Sequence, residues 1–337
     1  MKHFTYLQIA GLIIRVTSQN LPNLDRRSDW RYQNFVLKKT PKKFDFEFNL
    51  KVRDNYIDYN SKILFQTERE QPKSSKPDLS SGRREQELFQ KDGEGAGKQR
   101  EQKEQYLGKD IDWRISRHKE RFLIEGGTSG NFQVFFDNKF QRIDIFIVNQ
   151  DNQWKLAELF VGFLQIFLIY YLANKGDGLV VHSAAIKDRQ KKDKGYLFAG
   201  ISQAGKTTTS RIWHKHAKDA QILNDDRIII RKEKGKFYLY STPWHGDFSD
   251  YLKDPIKRAE IGKLFFICHS KKNKAEKVLP REFFNLFFQS LFLPFWDKEG
   301  LKKEFNFIMD LILSVPCYKF GFKNDKKIIN YIRRIKE

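Results

Sequence analysis

The octapeptide Gly200-Ile201-Ser202-Gln203-Ala204-Gly205-Lys206-Thr207 constrains this chain more than any other stretch, because an apolar run ends at Ala199 and a helix-prone run begins at Lys206. An apolar strand that enters a Gly-rich turn and opens directly into a helix is the strand–GxxxxGK[ST]–helix unit. It commits its surroundings to strands and helices packed in layers, since each needs its apolar face covered. The two glycines let the backbone wrap closely, so that successive N–H groups and the positive end of the helix converge on one point. That point suits phosphate oxygens. Gly200, Ile201, Ser202, Gln203, Ala204, Gly205, Lys206, Thr207 and Thr208 are therefore the expected nucleotide-binding residues. Lys206 would bring a charge to the β- and γ-phosphates, and the Thr207 hydroxyl would ligate Mg²⁺. The competing reading is a chance Gly-rich turn that caps a helix; the presence of strand, loop and helix in order speaks against it.

Strands and helices alternate around the loop. Apolar runs predict strands over 179–186, carrying His182, and over 196–199; a helix follows over 206–216. A short strand, 221–223, enters Asn224-Asp225-Asp226, and 227–231 with 236–241 read as a hairpin turning at Gly235. A strand over 317–322 and a basic helix over 326–335 close the chain. Adjacent side chains at a strand end point to opposite sides, so Asp225 and Asp226 can do different work, one on a metal and one on an acceptor proton. The same Asn-Asp-Asp run would also serve as an Asx-rich turn. A lone histidine near an apolar strand, such as His182, is ordinarily structural.

The remainder is less specific. Segments 6–16, 44–52, 122–125, 132–136 and 143–148 read as strands, so the first 150 residues are β-rich. The amino-terminal run reads as strand and not as a signal peptide, its apolar stretch being short and broken by Gln8 and Gly11. Residues 67–105 hold few large apolar side chains and much Ser, Gly and Gln, which predicts a disordered insertion. The run 154–173 is long enough for a membrane span, but Lys155, Glu158 and Gln165 within it favour a buried helix. A second packed helix is expected over 283–295. Two cysteines, Cys268 and Cys317, exclude a disulfide framework, and a reducing cytoplasm is the expected compartment. The net charge of +21 invites a nucleic-acid reading. The most charged stretch, Glu68 to Glu104, carries nine side chains of each sign and adds nothing to that surplus, which is spread over the rest of the chain. Solvated basic surface is the preferred explanation.

Taken in order, VVHSAAI, GYLFAGISQAGKTTTS and ILNDDRIII resemble the nucleotide domain of the HPr kinase/phosphorylase family, and the loop is also similar to that of phosphoenolpyruvate carboxykinases, which share the P-loop fold. The resemblance runs from about Gly178 to Trp244, a fifth of the chain. It implies that His182 lies near the phosphates, that Asp225 is the base for an acceptor serine, and that Asp226 helps hold the metal. Ser241-Thr242-Pro243-Trp244 looks like a loop of divergent members found with peptide-modification genes, with Trp244 lining the acceptor site. Two positions depart from the family: Gln203 replaces a glycine, and Thr208 replaces the glutamate of the bacterial enzymes. The Gly-rich signature loop after the aspartates has no counterpart, so the resemblance does not extend to HPr as substrate or to phosphorolysis.

The expected fold class is thus α/β, a mixed-sheet P-loop nucleotide-binding domain over 151–337 preceded by a smaller β-rich domain over 1–150 with the insertion at 67–105. The expected function is an ATP-dependent, Mg²⁺-assisted kinase acting on a hydroxyl, serine above all, of a peptide or small protein. His182, Lys206 and Asp225 are the expected catalytic residues, with Thr207 and Asp226 at the metal. No membrane span and no nucleic-acid partner are expected, and a homo-oligomer is open. Two alternatives compete: a nucleotide-gated peptide-binding module without group transfer, and a small-molecule kinase. The latter needs an anion pocket of several arginines, which the proximity in sequence of Arg211, Arg227 and Arg231 does not decide.

Overall fold

A computed structural model describes residues 2–19, 34–53, 57–68, 111–126, 132–148, 163–248, 250–253 and 258–335. The chain is mixed α/β, with two large sheets and few helices. The described residues divide between two compact units, one holding 1–5, 15–29 and 45–165, the other 6–14, 30–44 and 166–337. The polar segment 67–105 lies outside the described residues, except that Thr67 and Glu68 end a strand.

Eight strands form the first sheet: β1 (Lys2–Ile9), β2 (Leu12–Gln19), β3 (Phe46–Arg53), β4 (Lys62–Glu68), β5 (Ile111–His118), β6 (Arg121–Gly126), β7 (Phe132–Phe136) and β8 (Ile143–Val148). Their order is β1-β2-β3-β8-β7-β6-β5-β4. The single strand expected over 6–16 is corrected to two. The chain reverses at Ala10 and Gly11, whose φ values of 51° and 79° are the paired left-handed residues of a tight hairpin turn. An alanine in the first of those positions hid the turn from sequence reading. β6 and β7 are nearly continuous in burial, and within them Gln133 donates to Glu125 at 2.9 Å, so that two buried polar groups satisfy each other.

The described part of the 154–173 run is helix α1 (Gln165–Lys175), with Phe167 to Ala173 all buried. No helix among the described residues is long and apolar enough to cross a membrane.

The second unit is built on β9 (Gly178–Asp188), β10 (Lys194–Ala199), α2 (Lys206–His216), β11 (Ala220–Asn224), β12 (Arg227–Glu233) and β13 (Lys236–Tyr240). There follow β14 (Arg258–His269), β15 (Lys274–Lys277), α3 (Pro280–Phe287), β16 (Leu291–Phe292), α4 (Lys298–Ser314), β17 (Cys317–Phe322) and α5 (Lys327–Arg334). The sheet runs β10-β9-β12-β13-β14-β17-β15 and is mixed: β14 is parallel to β10 and β17, while the other pairs are antiparallel. Alternation along β9 supplies both faces of the core. Leu179, Val181 and Ala185 join Phe283 and Phe287 of α3 and Phe307, Ile308 and Leu311 of α4. Ala184 and Ile186 join Trp213 of α2 and Ile328, Ile329 and Ile332 of α5. Helices therefore cover the sheet on both sides. The helix expected over 283–295 is also corrected: α3 stops at Phe287, one 3₁₀ turn follows over Phe288–Ser290, and Leu291 and Phe292 pair with Val181 and Val180. Backbone groups left open on the β9 edge take those two residues into the ladder instead of a further helical turn.

Candidate active site

The site is organised by the middle of β9, where the strand changes partners on both edges. On one edge β11 and β12 run past β9 in nearly one register, Ala220 opposite Asp188 and Arg231 opposite Gly178, with a one-residue shift between Ile222 and Asn224 and a break at Asp225 and Asp226. On the other, β10 covers Ser183 to Asp188 and β16 covers Val180 and Val181. The gap between the two last strands falls at His182. β10 ends at Ala199 opposite Ser183, so the glycine loop leaves the sheet beside that gap, and Gly200 N–H donates to the Ser290 hydroxyl, one residue before β16, at 3.2 Å.

The loop turns through two left-handed residues, Gln203 and Gly205. Gly205 caps α2 at φ 104°, and a Cβ there would stand 2.6 Å from the ring of Phe322. Gln203 also takes a left-handed φ, 63°, at the position where the resemblance expects glycine. Its carbonyl accepts from His269 Nε2 at 2.8 Å. The first helical hydrogen bond of α2 is Thr209 N–H to Gly205 O, which leaves the N–H groups of Lys206, Thr207 and Thr208 without an acceptor inside the helix. Lys206 is buried and folds back, its ammonium donating to the carbonyls of Gly200 and Ile201 at 2.9 Å each. Burial lowers its pKa, partly offset by the charge of Asp226. Ala204 is buried, Ile201, Ser202 and Gln203 are exposed, and Thr207 and Thr208 are half-buried.

Asn224 explains the shape of the aspartate pair. Its carbonyl oxygen accepts the N–H groups of Asp226 (2.9 Å) and Arg227 (3.1 Å), and its amide donates to the Thr242 carbonyl at 3.0 Å. The Asn makes the Asx turn, and both carboxylates are released from that task. They separate. Asp226 faces His182, with Oδ1 3.1 Å from Nε2, and has Arg227 Nη1 3.6 Å from Oδ2. Burial raises its pKa, but the His182 hydrogen bond and the charges of Arg227 and Lys206 outweigh that and hold Asp226 below the ordinary carboxylate value. Asp225 turns the other way and is 1% exposed. Its Oδ1 accepts from Gly246 N–H (2.9 Å) and the Tyr251 hydroxyl (3.1 Å), while Oδ2 has no hydrogen-bond partner among the described residues. Burial pushes its pKa up, helped by the charge of Asp226 and opposed by Gly246, Tyr251 and the Phe248 backbone. Gly246 allows the close approach, since a Cβ there would sit 2.8 Å from Asp225 Oδ2 and the carboxylate would have to shift.

His182, Lys206 and Asp226 are therefore neighbours, and Asp225 flanks them in a separate, drier setting. Trp244, expected to line an acceptor site, is buried in the segment whose Gly246 packs on Asp225. Of the three arginines near in sequence, Arg211 lies over the Phe248 ring and Arg231 bonds Asp177 and the Ala10 carbonyl; only Arg227 reaches Asp226. Sequence reasoning missed Ser290, Phe292, Gly246 and Tyr251. No spacing signal links the first two, about ninety residues downstream of the loop, to it. Among the described residues no group of three or more His, Cys, Asp or Glu side chains could hold a metal by itself. A cavity lined by Gln8, Asn34, Phe35, Tyr240, Ser241 and Arg258 contains none of these site residues.

No family model matches the chain, and no curated protein matches it. Among solved structures, an HPr(Ser) kinase/phosphatase from Coxiella burnetii is similar over 46% of this chain and 90% of its own, with a TM-score of 0.26 and 11% identity. At that similarity the match decides neither fold nor chemistry, which rest on the geometry.

Proposed function

We propose that the chain is a P-loop phosphotransferase that moves the terminal phosphoryl group of ATP to a hydroxyl, foremost a serine, of a peptide or small protein. The observation that carries this reading is the meeting, around His182 of β9, of the glycine loop with its buried lysine on one edge and, on the other, an aspartate pair whose two side chains lie in different environments. Loop donors and Lys206 bind phosphate oxygens. Thr207 and Asp226 supply an oxygen and a firmly ionised carboxylate, the donor set that suits Mg²⁺, which binds through one or two carboxylates together with substrate phosphates. When bound, Mg²⁺ supplies neutralisation of phosphate charge.

Asp225 acts as base. A carboxylate whose pKa is pushed up takes a proton more readily than an exposed one, and Oδ2, which has no hydrogen-bond partner among the described residues, is the oxygen to receive it. The acceptor oxygen attacks the terminal phosphorus, the bond to the β-phosphate oxygen breaks with its electron pair leaving on the diphosphate, and the acceptor proton passes to Asp225. His182 keeps Asp226 oriented through the 3.1 Å contact. The test is transfer of label from γ-labelled ATP to serine peptides encoded beside this gene, with alkali-labile product marking phosphoserine. Asp225→Asn is expected to bind ATP and transfer nothing, and Lys206→Ala to lose both. Transfer by Asp225→Asn at the wild-type rate would remove the assigned base; absence of transfer to every peptide, with ATP bound, would remove the kinase reading.

A further inference from the structure

The geometry points to Arg227 as the residue that reads the third phosphate, making the site selective for nucleoside triphosphate over diphosphate; this rests on the nucleotide-binding reading above. Arg227 is a well-fixed cation beside His182. Its N–H is held by Asn224 Oδ1 at 3.1 Å, its carbonyl accepts from the Thr242 hydroxyl at 2.6 Å, and it stands opposite His182 in the ladder. Its guanidinium lies 5.5 Å from the centre of the Phe292 ring, and Phe292 is itself pinned by pairing with Val180. Stacking of this kind restrains a guanidinium without using its N–H donors.

Those donors are underused. Nη1 comes only to 3.6 Å from Asp226 Oδ2, and Nε is buried without a hydrogen-bond partner among the described residues. An ion pair that long between part-exposed groups adds little to stability. The fork geometry, by contrast, matches the paired oxygens of a phosphate. Lys206 differs, its ammonium already engaging two loop carbonyls. Asp226 is the neighbour that both cations share. Phosphates seated on the α2 N-terminus and Lys206 would extend toward Asp226, and the outermost would meet Arg227. Arg211 and Arg231 are engaged elsewhere, so the discrimination falls on this one side chain.

Calorimetric binding of ADP and of the non-hydrolysable triphosphate AMP-PNP, each with Mg²⁺, to the full chain tests this. The wild type is expected to prefer the triphosphate, and Arg227→Gln to reduce that preference about tenfold or more, the worth of a charge-assisted bond to phosphate. Arg227→Lys, which keeps charge but loses the fork, is expected to fall between them, and serves as the readout if the glutamine variant does not fold. An unchanged triphosphate-to-diphosphate ratio in both variants, whether affinity is kept or lost equally for the two nucleotides, overturns the proposal while leaving nucleotide binding intact. A wild type that binds neither nucleotide overturns the proposed function as well.

Discussion

Asp225 and Asp226 are chemically identical neighbours, and their surroundings push their proton affinities apart. Asp226 gains a histidine and two cations; Asp225 gains a dry pocket, neutral donors and one oxygen without a hydrogen-bond partner among the described residues. Pairs of acids driven apart in this way are how one site divides charge-holding from proton transfer. The Tyr251 hydroxyl favours the ionised form of Asp225, so its removal raises the pKa further. Tyr251→Phe is therefore expected to move the acid limb of the pH–rate profile upward by about half a unit to one unit, the equivalent of one neutral hydrogen bond. A limb that stays in place, or moves down, would mean that Asp225 is not the group titrating in catalysis. Sequence alone placed both acids after the loop. It could not say which one would be dry, because the groups that decide this, Gly246 and Tyr251, lie more than twenty residues away on a segment whose path depends on packing.

At the scale of elements, the boundaries that sequence found best were those with a local chemical cause. α2 begins and ends where read, 206 to 216, because Gly205 starts it and the chain reaches Ala217 with no further helical pattern; β17 and β7 likewise match their expected spans. The missed strand β14 has a different character. Its apolar run Leu264 to Cys268 does not alternate, since β10 and β17 flank it in parallel and both its faces are covered, and such a run cannot be told from a buried helix by periodicity. Helix α4 was missed too, and it carries an unexpected acid. Glu304 is fully buried, neither of its oxygens has a hydrogen-bond partner among the described residues, and burial raises its pKa to about 9 from an ordinary 4.5. Between those two values the unfolded chain is ionised while the folded one keeps its proton, so stability falls as pH rises across that window. Glu304→Leu removes the penalty. Thermal unfolding is expected to show it more stable than wild type by about 1–3 kcal/mol near pH 5, with a larger gain at pH 8. A gain equal at the two pH values would show that Glu304 has a charge partner in the fold.

For the whole molecule, composition was a poor guide to partition. The second unit recruits residues from far upstream: 6–14 and 30–44 count with 166–337, and within that unit Arg231 donates to the Ala10 carbonyl at 3.0 Å and Leu37 N–H to the Tyr6 carbonyl at 2.8 Å. A fragment starting near residue 151, where the β-rich composition gives way, lacks both segments. Its melting temperature is expected to lie several degrees below that of the same unit in the full chain, since even about 1–2 kcal/mol of lost contacts shifts a domain of this size measurably. Equal melting temperatures would show that the two upstream segments add nothing to the unit. What was readable from the chain alone is local: a strand, a glycine loop and a helix with their lysine, and an Asn-Asp-Asp turn downstream, all set by short-range sterics and hydrogen bonding that neighbouring residues supply. What required the tertiary fold is everything that depends on β9 having two edges: the gap at His182, the arrival of Ser290 and Phe292 beside it, and the turning of one aspartate toward cations and the other into a dry pocket. Sheet pairing joins residues by position in the ladder and not by distance along the chain, and no spacing in the sequence records it.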